Sequence, residues 1–437
     1  MRGIVTRKRI LVLGAYGLIG QEIATAVQDA GHEVIGLVRS SSLAERLLPS
    51  LDCRTADISK LLTPEDWRRF VLGVDAVVNA SGALQTGMRD NLGAVQDAAI
   101  KALIKACEDN GVQDYVQISA PGAVETAETE FLRSKARADA VLRQSTLNWV
   151  IFKPGLVIAR NAYGGTALIR ALAGFPFVLP IVLPDARIQT VSVNDVAQAV
   201  RAAIDERVEM RTEYDLVEDA PHSLLDITRA FREQMGFSVP FVLRLPYWFG
   251  AVAARLGDAA GWFGWRPPLR TTALKVLRDD VRGDPAPWRA ASGDGVAKIE
   301  ETLTGMPATI QERVFARAQL LTPVVICLLS AFFIASGAIG FAQNAEASAI
   351  LADRVGDSAA RLLVFAGAAL DILLGAAILF RAWARPAAAL MIGLSIVYLA
   401  AGTVFTPHLW LDPLGPFVKV FPVMGLALCA LLMIEER

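Results

Sequence analysis

Short apolar runs alternate with helix-period segments from residue 10 to residue 150, and from Leu321 onward long apolar stretches replace them. Ile10-Leu-Val-Leu13 has the composition of a buried strand and runs into Gly14-Ala-Tyr-Gly17-Leu-Ile-Gly20. A helix-period segment follows and stops at Gly31. His32 to Val38 predicts a second strand, Cys53 to Asp57 a third short one, Val74 to Gly82 a fourth and Tyr115 to Ala120 a fifth. Between the last two, Asn91 to Asn110 predicts a helix that ends at Gly111. This alternation predicts an α/β class, a Rossmann-like doubly wound parallel sheet with a small substrate-side region. Apolar runs near residues 321–341, 359–380, 386–405 and 417–434 each approach the length that spans a bilayer at ~1.5 Å per residue. They predict an all-α four-helix transmembrane domain.

Composition supports the second part. Of 437 residues, 54% are hydrophobic, more than an ordinary water-soluble chain carries, and the net charge of −1 gives no sign of a nucleic-acid partner. Arg2, Arg7, Lys8 and Arg9 read as a solvated leader that anionic lipid could attract. The early apolar run lacks a cleavage site, so the N-terminal domain is expected in the cytoplasm. Arg313 and Arg317 precede the first apolar run and Arg381 and Arg385 join the second to the third, whereas the other loops hold Arg354 alone. That bias predicts a multi-pass protein of the inner (cytoplasmic) membrane with both termini inside. Cys53, Cys107, Cys327 and Cys429 lack metal-ligand spacing and read as reduced thiols; with His32, His222 and His408 scattered, neither a metal nor a haem site is expected.

The glycine turn carries the first chemistry. Gly14 permits the tight turn, Gly17 lets backbone approach a pyrophosphate, and Gly20 lets helix and strand pack closely; Tyr16, Leu18 and Ile19 share that turn. Arg39 closes the second strand where an NAD-specific site places an acid, so NADP(H) is the preferred cofactor and NAD(H) the alternative. Asp57 stands where such domains cover the adenine; taken alone it reads as a helix cap or a solvated residue. Ala80-Ser81-Gly82 ends the fourth strand in small residues suited to a passing ribose and nicotinamide. His222 reads as a cap-region residue, and Tyr247-Trp-Phe249 through Trp262-Phe-Gly-Trp265 reads either as core or as a membrane-interface segment. In the second part Asp371 lies mid-run, where a carboxylate costs ~2.5–3.5 kcal/mol, and is expected to face other helices. Trp410, Asp412 and Lys419 collect polar groups in the loop before the last run.

Two resemblances follow from these residues. Gly14-x-x-Gly17-x-x-Gly20, Arg39, Asp57, Asn79-Ala-Ser-Gly82, Ile118-Ser-Ala120, Phe131-Leu-Arg-Ser-Lys135-Ala-Arg-Ala-Asp139, Trp149 through Pro154-Gly155 and Val191 through Ala197 come in the order of atypical short-chain dehydrogenase/reductases. The run resembles their NAD(P)H-binding, NmrA-like branch, which includes relatives of a complex I accessory subunit, over residues 8 to 305. The resemblance implies a Tyr-x-x-x-Lys pair assisted by serine, in which the lysine lowers the tyrosine's pKa. Here Phe131 takes the tyrosine's place while Lys135 and Ser119 remain; Lys135 and Pro154 are implied at the cofactor, and Tyr163, in the loop after Pro154-Gly155, is another candidate phenol. Ser336-Gly337, Asp371 between Gly367 and Gly375, and Trp410-Leu-Asp412-Pro-Leu-Gly-Pro416 with Lys419 resemble the DoxX-like family of four-helix membrane modules.

The expected organisation is an NAD(P)-binding domain at 1–305, a linker at 306–320 and a DoxX-like transmembrane domain at 321–437, with Gly283 to Trp288 also read as linker. The implied function is a membrane-tethered NAD(P)H oxidoreductase passing reducing equivalents to a lipophilic acceptor such as a quinone, with membrane lipid, a small-molecule or quinone-like substrate and a membrane redox complex as partners. The alternative is a non-catalytic NAD(P)H-sensing or assembly protein.

Overall fold

The computed structural model describes residues 6–82, 94–413 and 415–434. They form two compact units, Met1–Gly261 with Arg266–Arg313, and Trp262–Trp265 with Val314–Arg437.

The first unit is built on strands β1 (Arg9–Leu13), β2 (Glu33–Val38), β3 (Asp52–Thr55), β4 (Ala76–Asn79), β5 (Asp114–Ile118), β6 (Asn148–Pro154) and β7 (Thr212–Leu216). They make one parallel sheet in the order β7-β6-β5-β4-β1-β2-β3. Alternate residues feed two cores: Ile10, Val12, Val78, Val116 and Phe152 face one side, Leu11, Leu13, Val77, Tyr115 and Ile151 the other. A sheet covered on both faces needs this nearly continuous apolar run in its central strands. Strand order reverses between β1 and β4, which opens a crevice beyond their C-terminal ends. Helix α1 (Leu18–Asp29) starts at that crevice, and α2 (Glu130–Gln144), capped by Thr129, carries Phe131, Lys135 and Asp139.

Residues 83–93, including the predicted start of the helix at Asn91, lie outside the described residues; from Ala94 a short π-helical segment leads into the helix Ala99–Asp109. Gly283 to Trp288 is part of this unit: Trp288 is buried on the short helix Ala286–Ser292, with its ring edge-on to Phe152 and Tyr214. An indole that fills a gap beside the sheet has no solvent-linker role. The aromatic stretch forms helix α3 (Tyr247–Trp262), and His222 lies just before the N-cap Ser223, bonded to Glu218 at 3.0 Å.

The second unit consists of α4 (Ile310–Ala342), α5 (Asp357–Ala377), α6 (Ala384–Phe405) and α7 (Val420–Met433), with a further helix at Asn344–Val355. Because α4 is one helix from Ile310, most of the stretch expected as linker at 306–320 is helical. Helices α4, α5 and α6 are long and apolar enough to cross a bilayer. Helix α7 has 14 residues, since Lys419 and the turn before it lie outside the helix; at ~1.5 Å per residue it reaches about 21 Å. Small residues mediate the packing: Ser330 Oγ donates to the Gly375 carbonyl at 2.7 Å, and a Cβ on Gly337 would lie 2.4 Å from the Ala368 carbonyl oxygen. Trp262–Trp265 belong to this unit; the Trp265 indole donates to the Leu379 carbonyl at 2.6 Å, and the Arg381 amide to the Phe263 carbonyl at 2.9 Å.

Candidate functional site

The crevice at β1 and β4 is shaped for close backbone approach. Gly14 has φ +70°, and a Cβ there would meet the Ala80 carbonyl oxygen and Ser81 Cα at 3.1 Å. A Cβ on Gly20 would lie 2.2 Å from the Gly14 carbonyl oxygen, so only glycine fits where α1 leaves the turn. The Ala80 amide donates to the Leu13 carbonyl, tying the end of β4 to β1. Gly17 is the N-cap of α1 and supplies no side-chain cap, which leaves the N–H groups of Leu18, Ile19 and Gly20 at the first turn without an intrahelical partner. Such a turn suits a pyrophosphate, whose oxygens accept from these N–H groups along the helix dipole. The residues present therefore fit a dinucleotide.

At the end of β2 the Arg39 amide donates to Tyr16 Oη at 3.2 Å, fixing the phenol against the turn. Asp57 caps a short 3-10 helix by accepting from the Ser59 amide at 3.1 Å and hydroxyl at 2.7 Å. Partial burial opposes its ionisation, but the Ser59 hydrogen bonds, with Arg39 and Lys60 nearby, hold the carboxyl below the usual carboxylate range. On β4, Asn79 accepts from the Ser81 amide and hydroxyl and donates to Gln117 at 2.9 Å, which orders Ala80, Ser81 and Gly82.

The second half of the crevice gathers Ser119, Lys135, Phe131 and Asp139. Lys135 is 7% exposed and donates to the Ile118 carbonyl at 2.8 Å, with its ammonium 5.7 Å from the centroid of the Phe131 ring. Burial pushes it down to about 8, with Asp139 working the other way. Ser119 Oγ donates to Asp139 Oδ2 at 2.5 Å, so its lone pairs, not its proton, are available to a ligand. Burial raises the Asp139 carboxyl, against the Ser119 hydrogen bond and the Lys135 charge; its Oδ1 has no hydrogen-bond partner among the described residues. Pro154 is buried at the end of β6. Tyr163 is exposed at the start of the helix Gly164–Ala173.

Sequence reasoning gave Asp139 no role, although its position four residues after Lys135 places both on one face of α2. It also missed Gln96, which is buried, accepts from Ser134 at 2.9 Å and stands 3.2 Å from where a Gly82 Cβ would be. No local pattern marks that glutamine.

Among the apolar helices Asp371 is 4% exposed and faces its neighbours, accepting from Ser336 Oγ on α4 at 2.8 Å and Tyr398 Oη on α6 at 3.1 Å. Gly367 makes room for that phenol: a Cβ there would lie 2.9 Å from Tyr398 Oη. The Trp410 indole donates to Thr403 Oγ1 at 3.1 Å, at the end of α6, and its ring meets Phe417 edge-on. Lys419 caps α7, and the Asp412 carbonyl accepts from the Gly415 amide at 2.9 Å. Thr403 is five residues beyond Tyr398 on α6, about 7.5 Å along the axis.

Residues 14–207 match the NAD(P)H-binding family and residues 330–428 the DoxX-like family. The photosystem II assembly factor Ycf39 of Cyanophora paradoxa is 28% identical over 147 residues, 33% of this chain and 44% of its own length, so the chain spans under half of that relative. The NADPH-dependent quinone oxidoreductase QOR2 of Escherichia coli, solved with NADPH, is 17% identical with TM-score 0.52, over 68% of this chain and 99% of its own. WbmG of Bordetella bronchiseptica, solved with NAD, is also 17% identical, with TM-score 0.53 over 70% and 94%. At such identities the two structures share the fold of the first unit. The chain joins a region that matches the NAD(P)H-binding family to a region of apolar helices that matches the DoxX-like family.

Proposed function

We propose that the protein is a membrane-tethered NAD(P)H oxidoreductase that reduces a lipophilic acceptor such as a quinone. The observation that carries this reading is the dinucleotide crevice leading to a lysine that stands over a phenyl ring where the resemblance implies a phenol: Lys135 lies 5.7 Å from the centroid of Phe131, and the Ser119 proton is held by Asp139. The bound cofactor supplies a hydride, and the balanced reaction is NADPH + H⁺ + quinone → NADP⁺ + quinol. A simple ketone taking a hydride becomes an alkoxide, which needs a proton donor in the transition state. A quinone taking a hydride becomes a phenolate, whose conjugate acid has a pKa of roughly 10, so a neighbouring ammonium suffices to stabilise it. Lys135 does that work in this reading, Ser119 accepts a hydrogen bond from the ligand, and solvent supplies the last proton. Arg39 pairs with a 2′-phosphate and gives preference to NADPH over NADH. The apolar helices supply access to a bilayer-soluble acceptor, with Asp371, Trp410, Asp412 and Lys419 near its path. The arginines at 313, 317, 381 and 385 support a cytoplasmic crevice and C-terminus, so a reporter fused after Arg437 is active only if it works in the cytoplasm.

Phe131 also favours a second reading, a non-catalytic nucleotide sensor or assembly protein, and the similarity to an assembly factor points the same way. Purified protein in lipid with NADPH separates them, comparing quinone and carbonyl acceptors for wild type, Phe131→Tyr, Lys135→Ala and Asp371→Asn. Quinone-dependent NADPH oxidation that falls in Lys135→Ala supports the oxidoreductase. Tight NADPH binding without turnover on any acceptor leaves the sensor. Brisk ketone reduction by the wild type defeats the role given to Phe131.

A further inference from the structure

Helix α3 is packed inside out for a helix in water. Its inward residues are Gly250, Ala254, Gly257 and Gly261. A side chain at Gly257 would meet the Leu269 carbonyl oxygen at 2.1 Å, and one at Gly250 would meet Val182 at 2.9 Å. Its large residues point outward: Trp248, Leu256 and Trp262 are 64%, 67% and 66% exposed, and Phe249 and Val252 are exposed with them. Positions 248, 252 and 256 recur every fourth residue and form one stripe along the helix. The strand Phe241–Leu245, which leads into α3, adds exposed Phe241 and Leu243, and the Phe241 amide donates to the carbonyl of Phe177, itself exposed. Single exposed apolar residues are ordinary; a continuous aromatic band marks an interaction surface.

We propose that α3 and the strand before it lie in the headgroup–acyl boundary of a bilayer containing anionic lipid, with the Trp248–Val252–Leu256 stripe facing the acyl chains. Composition is the first argument, because tryptophan and tyrosine are enriched at membrane–water interfaces, and Tyr247, Trp248 and Trp262 stand at the two ends of α3. Chain continuity is the second. The residues that directly follow Gly261, Trp262–Trp265, pack on Leu379–Arg381, the turn that ends the bilayer-length helix α5, so the chain leaves α3 at the end of a membrane-spanning element. Charge is the third: exposed Arg255 stands beside Leu256 on α3, Arg381 lies over the Trp265 ring, and Asp258, the acid of α3, is paired with Arg270 at 3.2 Å. Arginine stems can cover apolar surface while their guanidinium groups reach lipid phosphates. The inference rests on the membrane reading of the apolar helices and is independent of catalysis.

Nitroxide labelling of the full-length protein in nanodiscs of phosphatidylcholine with phosphatidylglycerol tests it. Labels are placed at Val252→Cys and Leu256→Cys, with Leu373→Cys on α5 as the lipid benchmark and exposed Glu125→Cys as the water benchmark. Cys53, Cys327 and Cys429 are replaced by serine and buried Cys107 is kept. The expected result is a ratio of oxygen to nickel-chelate collisions at 252 and 256 several-fold above that at 125 and close to that at 373. A ratio at 256 equal to that at 125 overturns the proposal. Loss of both oxygen and nickel collisions overturns it too, because it marks a protein partner on this face. If 373 also behaves as water-exposed, the membrane reading falls and the proposal falls with it. Arg255→Gln and discs of phosphatidylcholine alone are each expected to lower the ratio at 256; no change in either refutes the anionic-lipid part.

Discussion

The two units differ in the large apolar residues they leave exposed. The α/β unit fills its interior with Ile10, Leu11, Val12, Leu13, Val77, Val78 and Ile151, whereas the apolar-helix unit buries small residues such as Ala360, Ala368, Gly375, Ala387 and Ala388 beside Leu329, Phe333 and Met391, and exposes Leu362, Leu373, Leu390, Ile396 and Val397. The difference lies in the solvent each unit is built for. Water drives large apolar side chains inward, but lipid tails are as apolar as leucine, so helices in a bilayer associate through small residues that permit close contact. Helix α3 sits in the first unit and follows the rule of the second, which is what singles it out. Both units also hold a buried acid bonded to hydroxyl groups. Asp139 has Lys135 on the same helix, whereas Asp371 is bonded to Ser336 and Tyr398 without a cation in that set.

The largest effect should come from breaking a place where the nucleotide crevice of the α/β unit depends on the absence of a side chain. Gly20→Val puts its Cβ against the Gly14 backbone, which has no flexible end to move away. Overpacking of this kind costs about 1–3 kcal/mol in stability, and displacement of the pyrophosphate turn should weaken NADPH binding more than ~100-fold. Calorimetric titration checks the second figure; affinity within tenfold of wild type would show that the nucleotide does not sit on α1. Next comes Lys135→Ala, which should lower quinone-dependent kcat/KM roughly ten- to a hundredfold through loss of one charge-assisted contact. In the wild type kcat/KM should fall as pH rises through about 8, because Lys135 loses its proton there. The alanine variant should lack that limb, and a falling limb in both would assign the titration elsewhere. A smaller effect belongs to Arg39→Ala, about tenfold on NADPH and little on NADH. Asp57, whose carboxyl Arg39 helps hold down, would then keep the Ser59 hydrogen bonds and Lys60 but lose one of its two cationic neighbours.

How much of this was readable before folding depended on the range of the signal. The Gly14–Gly20 turn was legible because strand, turn and helix are contiguous, and each glycine answers a backbone requirement that acts within a few residues. The apolar helices were legible from length alone, although the turn before Val420 shortened the last one. Asp371 announced itself by its cost in a bilayer, but Tyr398, 27 residues away on another helix, could be found only once α5 and α6 were packed together. Trp288 misled for the same reason: Gly283-Asp-Pro-Ala-Pro reads as linker locally, and the core that accepts the indole is made by Phe152 and Tyr214, far off in sequence. Ser119 was readable as a site residue, yet the direction of its proton depends on Asp139 and on the depth of burial, which spacing does not report.

The smallest expected effect, on stability, is that of Asp371→Asn. Asparagine keeps an oxygen for one of the two hydroxyl donors, and its amide can donate to the other hydroxyl after that group rotates. A side-chain hydrogen bond within a membrane bundle averages ~0.6 kcal/mol, because the unpacked helices in lipid also find partners, so the substitution should cost less than about 1 kcal/mol. Asp371→Leu should cost more. Ser336 can turn its hydroxyl to a carbonyl of its own helix, whereas the Tyr398 hydroxyl, which reaches across from α6 to Asp371, loses its acceptor. An unfulfilled hydroxyl costs about 1–3 kcal/mol. Unfolding of the helical unit in bicelles, followed for both variants, checks the order; equal losses would mean that the phenol is not held by Asp371. The same two proteins separate structure from chemistry: if Asp371→Asn unfolds like the wild type but its quinone-dependent NADPH oxidation falls tenfold or more, the carboxyl group itself takes part in handling the acceptor or its protons. If turnover is unchanged, Asp371 is a packing device that locks α4, α5 and α6 in register.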